Sequence, residues 1–148
     1  MRAAAFLTGV PPGVPLLLVA LALTLVVMVA VCWRAIMAER RAAALLRDVL
    51  TDAEYEGLVN RGYLEIASPS MWQRVYRVPR AGGRVRVYEQ ERLICELCLR
   101  PTRLLPPSDV LLLHKLMIEG DEATYLVTAN HFAWGDDAHA GPPIFWYL

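Results

Sequence analysis

Residues 14–33 read VPLLLVALALTLVVMVAVCW, twenty positions in a row without a charged side chain. Coiled into a helix at about 1.5 Å per residue, this run is roughly 30 Å long, the thickness of a bilayer's hydrocarbon core. Pro11, Pro12 and Pro15 stand at its start, where a missing backbone N–H costs least. Trp33 stands at its far end, where interfacial aromatics collect. The expectation is a single-pass transmembrane helix over residues 13–34, preceded by a short tail over 1–12. A cleaved signal peptide has a basic start and an apolar core of only about 7–15 residues. Here the apolar run is longer and a single Arg2 precedes it.

Basic residues near a span set its orientation. Arg34, Arg40, Arg41 and Arg47 follow the run, whereas Arg2 alone precedes it, so the C-terminal part is expected in the cytoplasm and the N-terminus outside. Three cysteines in 148 residues, one of them inside the span, do not form a secreted disulfide framework. The formal charge is zero but segregated. Eight arginines lie between Arg74 and Arg103, against Glu89, Glu91 and Glu96. Beyond residue 103 there are six acidic residues, and Lys115 alone is basic. A basic middle and an acidic end predict a dipolar domain.

After the span, residues 35–48 keep helical spacing and read as a juxtamembrane stalk. Thr51 and Glu54 form a capping box that opens a helix carrying Tyr55, Leu58 and Val59 inward and ending at Gly62. Tyr63 to Ile66 alternate as a short strand. Three further alternating runs, 74–78, 84–88 and 93–100, are joined by short turns and predict an antiparallel meander with one apolar and one arginine-rich face. Pro106 to Asp109 open an apolar helix that Gly120 breaks, and 121–131 reads as a second. The fold class is therefore a transmembrane helix followed by a small α+β domain over 49–133: a helix, a three-stranded antiparallel meander and two C-terminal helices. Residues 134–148 read as an extended tail ending in aromatics.

The stretch ICELC holds a C-x-x-C, Cys95 and Cys98. A zinc knuckle needs both thiolates on one side of a turn. In a strand, alternate side chains face opposite ways, so Cys95 is expected with Leu93, Leu97 and Leu99, and Cys98 with Ile94, Glu96 and Arg100. Neither a helix N-terminus that would activate a redox pair nor a following His that would mark haem attachment is present in that stretch. His114 reads as a core residue, His131 as a helix end, and His139 with Asp136 and Asp137 as part of the tail. There is no phosphate-binding glycine loop and no nucleophile elbow. No catalytic, cofactor or metal site is expected.

EYEGLVNRGYLEI followed by RVYRVPRAGGRVRVY resembles the end of a winged-helix domain: a recognition helix, a short strand and a basic wing. The resemblance implies a membrane-tethered nucleic-acid-binding regulator. Asp52, Glu54 and Glu56 on the helix oppose it, because a reading helix offers Arg, Lys, Asn or Gln and phosphates repel acids. The expected function is instead a non-catalytic accessory subunit or adaptor of a membrane protein complex. Its partners are membrane lipid and that complex, rather than nucleic acid or a small-molecule substrate. Contact is assigned to Arg74, Arg77, Arg84 and Arg86 of the meander and to Phe145, Trp146 and Tyr147 of the tail.

Overall fold

The computed structural model describes residues 13–99 and 101–133, and its first element is α1 (Gly13–Val49), a single helix of 37 residues. By length and composition α1 is able to cross a membrane: its most apolar 18-residue window has a mean hydropathy of 2.9 and none of it is buried by the protein. The chain divides into two units, Met1–Met37 and Ala38–Leu148. The first holds the apolar run. The second is an α+β unit.

That second unit continues with α2 (Asp52–Arg61), which begins as its capping box dictates. Thr51 Oγ1 accepts from the Glu54 N–H at 3.3 Å, and Glu54 accepts from the Thr51 N–H at 2.9 Å. Gly62, at φ 77°, supplies the left-handed residue that ends the helix. Five strands follow: β1 (Tyr63–Ala67), β2 (Arg74–Pro79), β3 (Val85–Glu89), β4 (Arg92–Cys98) and, after two helices, β5 (Asn130–Ala133). The two helices are α3 (Pro107–Gly120) and α4 (Glu122–Thr128). The sheet runs β1-β2-β3-β4-β5 with every neighbour antiparallel.

The expected three-stranded meander is thus a five-stranded sheet. The short strand at Tyr63 joins its near edge. At the far edge, the chain expected to stay helical to His131 leaves α4 at Thr128 and pairs with β4. Unpaired N–H and C=O groups along the edge of β4 supply the reason, because a buried backbone must be hydrogen-bonded.

One face of the sheet is the core. Leu64, Ile66, Tyr76, Val78, Val85, Val87, Cys95 and Leu97 meet Leu58 of α2, Leu111 and Ile118 of α3, and Tyr125 and Leu126 of α4. The expected stalk also contributes: Ala42 and Leu46 are buried, and Leu46 joins the same cluster as Leu50 just beyond it. Burying each such leucine stabilises the fold by about 1.5–3 kcal/mol. Val59, expected inward, is 47% exposed.

Candidate functional site

The outer face of the sheet carries the exposed charge. Strand register sets one row across all five strands: Glu65, Arg77, Arg86, Glu96 and Phe132. Arg77 Nε donates to Glu65 at 3.2 Å, and Arg86 Nε donates to Glu96 at 3.4 Å. Arg84, just before β3, donates to Glu96 at 3.1 Å and stacks over the Phe132 ring at 3.9 Å. Glu96 is consequently 7% exposed although it faces outward, because the two guanidiniums and the ring cover it.

Aromatic rings fix the other arginine. Arg77 lies 5.2 Å from the centre of Tyr63 and 4.3 Å from that of Tyr88. Guanidinium stacked on a ring face gains about 0.5–1 kcal/mol at exposed sites and loses rotational freedom in advance. Between these groups lies a hollow of about 490 Å³, lined by Tyr63, Arg77, Arg84, Arg86, Tyr88 and Glu96, with the backbone of Gly82 and Gly83 at its rim. Both glycines have positive φ, 81° and 121°, as the tight β2–β3 connection requires.

The structure therefore brings together Arg77, Arg84 and Arg86 of the residues expected to bind a partner. Arg74 lies on the opposite face, and its assignment to the contact surface is corrected. It is 3% exposed and forms ion pairs with Glu89 at 2.7 Å and Glu122 at 3.5 Å. Alternation accounts for this: Arg74 shares a strand face with Tyr76 and Val78, three positions out of phase with Arg77. Phe145, Trp146 and Tyr147 lie outside the described residues, as do Asp136, Asp137 and His139.

Glu122 was not singled out by the sequence, yet it organises the inner polar cluster. Its carboxylate accepts from the Ser68 hydroxyl at 2.7 and 2.8 Å, from the Ser70 hydroxyl at 2.6 Å, from the Ser70 N–H at 3.1 Å and from the Tyr76 hydroxyl. Burial pushes the Glu122 pKa up, but the bonds from Ser70, Tyr76 and Ser68 outweigh it and hold the carboxyl below its ordinary value. The cluster closes the β1–β2 loop against the start of α4.

Cys95 and Cys98 occupy opposite faces of β4. Cys95 is buried on the core side, where burial pushes its thiol up to about 12, and Cys98 is half-buried beside the outer row. A bulge between Val87 and Tyr88 pairs Tyr88 with Leu93, so Leu93 faces outward. Ile94 packs against the core instead, the reverse of the expectation for these two residues. Among the described residues, no three His, Cys, Asp or Glu side chains are grouped to hold a metal. His114 is buried, with Nδ1 2.9 Å from the Tyr125 hydroxyl, and burial lowers its pKa from 6.5 to about 4. His131, expected at a helix end, lies in β5 and donates through Nε2 to the Leu126 carbonyl at 2.6 Å.

No protein-family model matches the chain, and neither a curated protein nor a solved structure shows significant similarity to it.

Proposed function

We propose that this protein is a non-catalytic, membrane-anchored adaptor or accessory subunit of a membrane complex. In this reading the first part of α1 spans the bilayer once, with the N-terminus outside and the α+β unit in the cytoplasm. The outer face of the sheet is the contact surface for an anionic partner. One observation carries the reading: an uncharged, wholly exposed helical run precedes a folded unit whose sheet sets three ordered arginines on an open face. A water-exposed helix of that hydropathy would aggregate, whereas lipid satisfies it. Arginine pre-ordered on aromatic rings suits binding because less side-chain freedom is lost on contact.

The nucleic-acid alternative finds no comparable support. Asp52 and Glu56 are exposed on α2, and Glu54 is held by Lys115 at 2.6 Å. Phosphates would meet carboxylates along that helix. Capture of the tagged full chain from membranes in mild detergent tests the proposal. A discrete set of membrane proteins, depleted when Arg84 and Arg86 are both changed to Gln, is expected. Recovery of nucleic acid that disappears at raised salt, in place of such proteins, would overturn it.

A further inference from the structure

We infer that the hollow between Arg77, Arg84 and Arg86 binds a phosphomonoester group. The inference rests on reading the outer face as a contact surface and names the chemical group that surface takes. Directly opposed residues on antiparallel strands favour opposite charges, and like charges there are destabilising. Arg77 and Arg86 nonetheless stand directly opposite each other at the centre of the row. Their carboxylate partners lie to the outside, Glu65 beyond Arg77 and Glu96 beyond Arg86. The carboxylates thus steady the two guanidiniums from the flanks and leave the middle cationic.

Donor capacity points the same way. Arg86 uses Nε alone, at a long 3.4 Å, and its terminal amino groups make no hydrogen bond among the described residues. Arg84 uses one terminal nitrogen on Glu96. Counted with the partners that hold them, four guanidiniums, of Arg61, Arg77, Arg84 and Arg86, stand against the carboxylates of Glu65 and Glu96, which leaves a surplus of two positive charges. A phosphomonoester carries a charge of about −1.5 to −2 near neutral pH and three acceptor oxygens. A carboxylate or a phosphodiester, at a single negative charge, would leave half of that surplus standing. The volume also exceeds a bare phosphate. At about 490 Å³ it falls within the roughly 300–1,000 Å³ typical of small-ligand sites. Tyr63 and Tyr88 offer ring surface for the organic part of the ester. Phosphomonoesters reach such a site either as soluble esters or as a lipid headgroup of the phosphatidic acid type.

The test uses the full chain in nanodiscs of phosphatidylcholine, titrated with phenyl phosphate, and a second arm in nanodiscs containing phosphatidic acid with no soluble ester. Binding is read by calorimetry in the first arm and by the shift in melting temperature in the second. Saturable binding of phenyl phosphate assigns a soluble source, and stabilisation by phosphatidic acid alone assigns the headgroup. Either result supports the site if Arg84→Gln with Arg86→Gln weakens it by about tenfold or more while Arg92→Gln, an exposed arginine outside the hollow, leaves it unchanged. Arg86→Lys should weaken it severalfold, because the charge remains but the fork is lost. Phenyl phosphate should also bind more tightly at about pH 7.5 than at about pH 5.5, since its second proton leaves near pH 6. Circular dichroism and thermal melting of each variant check the fold, because the double change removes both cationic partners of Glu96 whereas Arg86→Lys keeps one charge in place. Failure of the wild type in both arms, or binding by the double variant within about twofold of wild type, would overturn the site. So would tighter binding of a ten-residue oligothymidylate than of phenyl phosphate. If the chain does not enter nanodiscs, the anchoring claim fails separately, and the phenyl phosphate titration still decides the site in detergent.

Discussion

Glu39 of α1 accepts two hydrogen bonds from Ser108 of α3, from its hydroxyl at 2.6 Å and from its backbone N–H at 3.3 Å. The N-cap of α3 is Pro106, which has no side chain able to cap it. A carboxylate from a helix 69 positions earlier therefore meets an orphan N–H at the start of α3, where negative charge also favours the helix dipole. With Ala42 and Leu46 buried, the last turns of α1 are part of the α+β unit.

Leu46→Ala should consequently destabilise the folded unit by about 2–5 kcal/mol, the usual cost of a large-to-small change in a core. Leu45→Ala, at a position 51% exposed on the same turn, should change the melting temperature little. Thermal melts of both full-length variants in detergent check this. Equal, small effects would mean that the stretch is a solvated stalk after all.

Glu122→Ala should be more damaging, costing roughly 3–5 kcal/mol, because Arg74 loses a buried partner and Ser68, Ser70 and Tyr76 lose their shared acceptor. The same carboxylate gives an acid signature. Its folded pKa is depressed below the ordinary 4.5. The stabilisation is therefore complete above that value and is lost as pH falls through the lower folded pKa. Glu122→Gln should flatten stability in that acid range, measured by denaturant titration at stepped pH.

How much of this was legible depended on the range of the interaction that decides each element. The capping box of Thr51 and Glu54 and the alternation of 74–78 and 84–88 are local, and both form where the sequence places them. Arg77, Arg84 and Arg86 on one face also follow from alternation and strand register. The same period of two applied to Arg74 would have turned it inward. What no local pattern reveals is its partner, Glu122, 48 positions away. β5 was illegible because Asn130 and His131 have weak strand preference and the segment is only four residues long. The edge of β4 decides it. The bulge that reverses Leu93 and Ile94 likewise depends on the facing strand.

His114 gives a second, separate pH window. Burial lowers its pKa from 6.5 to about 4, so between those values the unfolded chain binds a proton that the folded chain does not. Stability should therefore fall as pH drops through that interval. His114→Gln should remove this slope while leaving the loss that Glu122 causes at lower pH. An unchanged slope in the variant would show that other groups carry it.

Orientation is tested by a reporter fused after residue 148. With Arg34, Arg40, Arg41 and Arg47 following the apolar run, a cytoplasmic readout is expected. Activity of a reporter that works only outside the cytoplasm would reverse the assigned topology.

Whether α1 holds the protein in a bilayer is read by washing membranes with alkaline carbonate. Cells expressing the tagged chain are lysed, the membranes washed, and both fractions blotted. The full-length tagged chain should stay in the washed membrane pellet. Release of the intact chain into the wash, or a shortened soluble chain lacking the apolar run, would contradict it.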